Sequence, residues 1–133
     1  MKVILDTHVW VGWLLPDSPL PDRERQALDR IAADKGILLP AICQWEAQML
    51  HRKKRIALPL PFPTWLRRAT SADMLTILPL GAETVIAVNE LPDSFHGDPA
   101  DRIIVATARS HDIHLATHDE AIRRSRLVKL WKP

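Results

Sequence analysis

Two acidic residues follow short apolar segments that have the composition of buried strands. Asp6 ends the segment 2–6, and Asp119 comes three residues after the segment 113–116. In parallel α/β sheets, ligands bind beyond the carboxyl ends of the strands, so both carboxylates are well placed for chemistry at that edge. Each of them could equally cap the helix that follows, because aspartate is a good N-cap residue. The position of Asp6 at the end of the first strand favours a functional role.

A third acid, Glu46, lies within the predicted helix 40–54, whose apolar face we assign to Ile42, Trp45, Met49 and Leu50. With about 100° of turn per residue, Glu46 falls between the last two of these side chains. A carboxylate in the middle of a buried stripe must be paired, protonated or bound to a metal ion. A buried ion pair with an arginine and a metal site therefore both remain open.

The segment 98–110 begins with the signals of a helix start. Asp98 is placed as the N-cap and is followed by proline at the first helical position. Capping is a sufficient explanation for Asp98. Asp101 is harder to explain in that way, because it shares a helix face with Ile104 and Val105 and so points towards the core.

Four acids that converge on one end of a parallel sheet would repel each other without a counter-ion. The simplest counter-ion for hard oxygen ligands is Mg²⁺ or Mn²⁺. Cys43 is the only cysteine, which excludes an internal disulfide and a cysteine-based zinc cluster.

The elements that must position these acids alternate along the chain. We predict strands at 2–6, 37–39, 75–78, 113–116 and 127–131, and helices at 7–15, 22–34, 40–54, 65–73, 82–91, 98–110 and 118–124. The prolines of segment 58–63 predict a stiff connector without regular structure rather than a domain boundary. Short apolar strands alternating with helices indicate one α/β domain, residues 1–133, with a mainly parallel sheet.

The composition is that of a folded domain, with 47% hydrophobic and 26% charged residues among 133. The apolar start of the chain is too short and too polar for a membrane span and lacks the charged lead of a signal peptide, so we expect a cytoplasmic protein. The net charge is only +2, but basic residues cluster at 51–55 and 123–126. These clusters could be solvated helix ends or contacts for a nucleic-acid backbone.

Four segments in this order resemble the PIN-domain family, and within it the VapC-type toxins of toxin–antitoxin pairs. They are 4–10 (ILDTHVW), 40–46 (PAICQWE), 98–108 (DPADRIIVATA) and 115–119 (LATHD). The resemblance covers essentially the whole chain. It implies a PIN-like three-layer α/β/α sandwich and a Mg²⁺-dependent endoribonuclease, with Mn²⁺ able to substitute, that hydrolyses RNA by means of metal-activated water.

The resemblance also implies roles for individual residues. Asp6, Glu46, Asp101 and Asp119 match the family's catalytic and metal-binding acids, and Asp98 matches a second-tier accessory acid. Thr7 and Thr117 match supporting positions near the metal. The residues that we expect to hold the RNA backbone are Arg102, Arg52, Lys53, Lys54 and Arg55.

The partners that the resemblance implies are an RNA substrate, a cognate antitoxin and a second copy of the chain in a homodimer. We expect the antitoxin to insert a basic side chain near Asp6 and Asp101. Trp10, Trp13 and Trp65 are candidates for an aromatic interface, whereas we assign Trp45 to the core. Two alternatives remain: a PIN-like nuclease acting on DNA or structured nucleic acid, and a non-catalytic partner-binding module.

Overall fold

The computed structural model describes residues 1–95 and 97–133, which contain a four-stranded parallel β-sheet. In chain order, the strands are β1 (Val3–Leu5), β2 (Ile37–Pro40), β3 (Thr76–Leu78) and β4 (Leu115–Ala116). Their order across the sheet is β3-β2-β1-β4, so β1 and β2 are the inner strands. The prediction of an α/β fold with a mainly parallel sheet is confirmed.

Helices connect and cover the strands. In the described residues they are α1 (Thr7–Leu14), α2 (Asp22–Ala33), α3 (Ile42–Arg52), α4 (Phe62–Ala69), α5 (Ala82–Asn89), α6 (Pro99–His111) and α7 (Glu120–Ser125). Every residue of β1 and β2 is buried, although alternate side chains point to opposite faces of the sheet. Both faces are therefore covered, as in the predicted three-layer sandwich. No helix within these residues is long and apolar enough to cross a membrane.

The tryptophans are placed differently from our prediction. Trp10, Trp13 and Trp65, the expected interface residues, are all buried, and the rings of Trp10 and Trp65 pack with centroids 5.4 Å apart. The Trp10 indole N–H donates to the Ala69 carbonyl at 3.1 Å, and that of Trp13 donates to Asp29 Oδ1 at 2.8 Å. Because both indole N–H groups find hydrogen-bond partners inside the fold, the burial of these two rings leaves neither N–H group unpaired. Trp45, assigned to the core, is instead 53% exposed.

Two proline positions also differ from our prediction. Pro40 is the last residue of β2, paired with Leu78 of β3, and α3 begins only at Ile42. At a strand end, a missing N–H removes little from the ladder. The predicted connector 58–63 ends early, because α4 begins at Phe62. Pro63 fits in its first turn, where the N–H has no intrahelical partner.

The predicted last strand, 127–131, is reduced to a single bridge. Leu130 pairs in parallel with Leu115, whose N–H donates to the Lys129 carbonyl at 2.8 Å and whose carbonyl accepts from the Trp131 N–H at 2.9 Å. Because strand β4 is only two residues long, the end of the chain cannot form a longer ladder of hydrogen bonds with it.

The carboxyl ends of β1, β2 and β4 lie at one edge of the sheet because the strands are parallel. From this edge the chain enters α1 through Asp6, α3 shortly after Pro40, and α7 through Thr117 and Asp119. We call it the carboxyl edge. The local folding of three separate segments therefore brings acids from distant parts of the sequence towards one place.

Candidate active site

Asp6 is a helix cap and a cavity residue at the same time. It is 5% exposed, and its Oδ1 accepts a hydrogen bond from the Val9 N–H at 2.8 Å, which caps α1. Its Oδ2 accepts a hydrogen bond from the Thr117 hydroxyl, which comes from the segment after β4. Burial raises the pKa of Asp6, and these two hydrogen bonds act in the opposite direction. The capping alternative is thus correct, without excluding a role in chemistry.

Glu46 is half-buried on α3 and accepts a hydrogen bond from the Thr7 hydroxyl. The fully buried side of α3 consists of Cys43 and Ala47, so Glu46 lies beside the buried stripe rather than in its middle. Among the described residues, none of the ion pairs includes Glu46. Burial raises the pKa of Glu46, with a further contribution from the negative charge of Asp98.

The first turn of α6 supplies two more carboxylates. Asp98 is the N-cap, as predicted, and accepts a hydrogen bond from the Asp101 N–H at 2.8 Å. Ligand oxygens of Glu46, Asp98 and Asp101 all lie within 4.8 Å of one another, which is close enough to share one cation. Asp98 is therefore as well placed for metal binding as the other two acids, although the sequence ranks it second.

Asp119 completes the group from the other side of the carboxyl edge. It caps α7 by accepting a hydrogen bond from the Ile122 N–H at 2.9 Å, and its own N–H donates to the Thr117 hydroxyl at 3.0 Å. Thr117 therefore contacts both Asp6 and Asp119. The Thr117 hydroxyl thus forms hydrogen bonds with two acids that are more than a hundred residues apart in the sequence.

The acids share one small cavity of about 140 Å³. Its lining residues are Asp6, Thr7, His8, Glu46, Asp98, Asp101, Ile104 and Asp119. Burial, followed by the charges of Asp98, Asp119, Glu46 and Asp6, raises the pKa of Asp101 from 3.8 to about 7. The structure therefore brings together all four predicted acids and Asp98 in an electrostatically coupled group whose oxygen donors suit a hard divalent cation.

One lining residue, His8, has no counterpart among the residues predicted from sequence. It is exposed and lies in the first turn of α1, directly after Thr7. It also lines a larger groove of about 590 Å³, together with residues 15–19 and 55–59. The only sequence signal for it is its position two residues after Asp6.

The basic residues predicted to hold nucleic acid fall into two groups. Arg52, Lys53, Lys54 and Arg55 are exposed at the end of α3, and Arg55 lines the same groove as His8. Arg102 is half-buried, and its guanidinium donates to the Phe95 carbonyl at 2.7 Å. Part of the Arg102 hydrogen-bonding capacity is therefore used inside the fold.

An α/β domain whose parallel sheet ends in a cavity lined by carboxylates has the features of a protein that binds divalent metal ions through oxygen ligands. The chain belongs to the PIN-domain family, which it matches over residues 3–126. The resemblance predicted from the four sequence segments is therefore confirmed.

Individual relatives agree with this assignment. The chain is 38% identical to ribonuclease VapC22 of Mycobacterium tuberculosis, over 97% of this chain and 98% of that protein. Its fold is similar to a crystal structure of VapBC2 from Rickettsia felis bound to a DNA fragment from their promoter, with a TM-score of 0.73 and 18% identity over 98% of both chains. It is also similar to the crystal structure of FitAcB from Neisseria gonorrhoeae, with a TM-score of 0.68 and 19% identity over 98% of this chain and 97% of that chain.

Proposed function

We propose that this protein is a divalent-metal-dependent endoribonuclease and the toxin of a toxin–antitoxin pair. The observation that carries the proposal is the cavity in which Asp6, Glu46, Asp98, Asp101 and Asp119 meet. None of the ion pairs among the described residues neutralises these acids. The family assignment and the 38% identity to a ribonuclease support the same reaction.

We propose Mg²⁺ as the ion, with Mn²⁺ able to replace it. Glu46, Asp98 and Asp101 are the closest set of ligand oxygens, and Asp6 and Asp119 face the same space. A divalent ion held there supplies an activated water and stabilises the charge on the phosphate under attack. Because burial and the neighbouring acids raise the pKa of Asp101, an ion bound there would compete with a proton for this carboxylate.

The remaining groups of the site position these carboxylates. The hydroxyls of Thr7 and Thr117 donate to Glu46 and Asp6, which fixes the direction of both carboxylates. Cys43 is buried, and burial raises the pKa of its thiol, so it stays protonated at neutral pH. The described lining of the cavity contains no serine or cysteine, and we assign the attack to water.

The substrate and partners follow from the charge of the surface. We propose that the exposed segment 52–55 holds the RNA backbone, with Arg102 as a weaker candidate because of its contact with Phe95. We also propose that the antitoxin places an arginine or lysine against the cavity between Asp6 and Asp101, where it replaces the charge of the metal ion. A structure of the complex in which the cavity stays open to solvent would contradict this mode of inhibition.

The homodimer and the cytoplasmic location remain predictions. Trp45, Val85 and Ile86 are the exposed apolar side chains on α3 and α5, and they replace the buried tryptophans as candidates for a subunit contact. Sedimentation of the toxin freed from its antitoxin tests the dimer.

The decisive experiment offers one sequence as single-stranded RNA and as DNA, with Mn²⁺, Mg²⁺ or chelator. We expect metal-dependent cleavage of RNA that is lost in Asp101→Asn and kept in Asp93→Asn, which changes an exposed acid outside the cavity. Preferential cleavage of DNA would instead favour the alternative of a PIN-like nuclease that acts on DNA or structured nucleic acid. No cleavage of either by a folded, metal-bound protein would favour the non-catalytic binding module.

A further inference from the structure

The acid cavity contains one side chain that is suited to contact the substrate next to the reacting phosphate. Five of its eight lining residues are acids, which repel every phosphate that is not bound to the metal ion. The Thr7 hydroxyl proton is donated to Glu46, and Ile104 is apolar. Among the described lining residues, His8 is therefore the side chain left to donate a hydrogen bond to an approaching phosphate.

The position of His8 fits such a contact. Its exposed side chain lines both the acid cavity and the 590 Å³ groove, so it is adjacent to each of them. That groove continues through residues 55–58 into a third cavity, which His51 and Lys54 also line. An RNA strand that leaves the acid cavity on this side passes His8 first and then reaches the basic residues at the end of α3.

We propose that His8 binds the RNA by donating a ring N–H hydrogen bond to the phosphate adjacent to the one that is cleaved. The proposal rests on the ribonuclease function proposed above and assigns a substrate-positioning residue to it. His8 is not one of the three residues whose ligand atoms lie within 4.8 Å of one another, and the Mn²⁺ affinity of its variants separates a contact with the RNA from one with the metal ion.

The test compares His8→Ala, His8→Gln and His8→Phe with the wild-type protein on a short single-stranded RNA, at fixed salt and with Mn²⁺. A hydrogen bond to a charged group corresponds to about a tenfold change in affinity. We expect His8→Ala to raise KM by that factor at unchanged kcat and unchanged Mn²⁺ affinity. His8→Gln, which keeps an N–H donor, should recover part of the loss, and His8→Phe should recover none.

His114→Ala is the matched control, because His114 is exposed just before β4, at the opposite edge of the sheet. It should leave KM unchanged. Direct RNA binding in an Asp101→Asn background repeats the comparison without cleavage, and His8→Ala should weaken that binding to the same extent.

Several results would overturn the proposal. An unchanged KM and RNA affinity in His8→Ala would exclude the contact. A loss of Mn²⁺ affinity in the same variant would make His8 a metal ligand, and full recovery by His8→Phe would make it a stacking platform. If the wild-type protein binds RNA without cutting it, the proposed function fails, whereas the binding comparison still decides the role of His8.

Discussion

Replacing Asp101 by asparagine removes one negative charge from a cavity that holds five carboxylates, and we expect it to stabilise the metal-free protein at neutral pH. Burial and the neighbouring acids raise the pKa of Asp101 from 3.8 to about 7. Such a rise corresponds to about 4 kcal/mol, at about 1.4 kcal/mol per pH unit. Because Asp101 is only half-buried, solvent screening reduces the expected gain to about 1–2 kcal/mol.

The sign of this effect follows from proton binding. From pH 3.8 to about pH 7, folded Asp101 keeps the proton that the unfolded chain has lost. The stability of the wild-type protein therefore falls as the pH rises through this interval, and the full penalty is present above it. Below the interval both states are protonated, so the advantage of Asp101→Asn disappears.

Urea denaturation in chelator at a series of pH values measures this difference. We expect the free energy of unfolding of Asp101→Asn to exceed that of the wild type at pH 8 and to match it under acid conditions. Asp93→Asn, which changes an exposed acid outside the cavity, should show no such gain. Equal stabilities of wild type and Asp101→Asn at pH 8 would refute the electrostatic reasoning, as would a gain that persists at low pH.

Three further predictions concern the same cavity. Asp6→Asn should abolish metal-dependent RNA cleavage while a thermal melt shows an intact fold, because asparagine caps a helix as well as aspartate does; wild-type cleavage by the folded variant would contradict it. Glu46→Gln should lose metal affinity in calorimetry with little loss of stability. Glu46→Ala also leaves the Thr7 hydroxyl unpaired and should lower the free energy of unfolding by about 1 kcal/mol more. Unchanged metal binding in Glu46→Gln would remove Glu46 from the ligand set. Mn²⁺ at 100 times its Kd should stabilise the wild-type protein by about 2.7 kcal/mol, and a melting temperature that does not respond to Mn²⁺ would argue against a preformed site.

Sequence reasoning located the acids because each of them has a local signature. Asp6 and Asp119 follow apolar strands, and Asp98 precedes a proline at a helix start. Asp6 and Asp119 cap helices, as one interpretation predicted, and they also line the cavity, while their catalytic role stays a prediction. The helix-cap signal and the metal-site signal were therefore not true alternatives.

The sequence did not reveal which side of α3 would be covered. On α3, Trp45 was assigned to the core and is exposed, while the small residues Cys43 and Ala47 face inwards. A helix packed closely against a sheet takes small residues at the contact, and a rule that ranks residues by hydrophobicity misses that preference. The prediction for Trp10 and Trp13 was wrong for a different reason: no local pattern shows that their indole N–H groups find partners in Ala69 and Asp29.

His8 and Asp98 show a second limit of sequence reasoning. The place of each in the cavity depends on how distant segments pack together, such as the approach of α3 to the start of α6, which no local pattern encodes. Asp98 was placed second because capping explained it fully. Only the structure shows that this capping residue lies within 4.8 Å of the ligand oxygens of Glu46 and Asp101.

The three capping aspartates have a consequence for how this fold changes in evolution. Asp6, Asp98 and Asp119 each begin a helix, and asparagine performs that task equally well. A single nucleotide change converts an aspartate codon into an asparagine codon. A lineage can therefore lose a carboxylate of this cavity in one genetic step while the helices still start at the same residues. The architecture thus allows the charge of the cavity to change in evolution without a change in the fold.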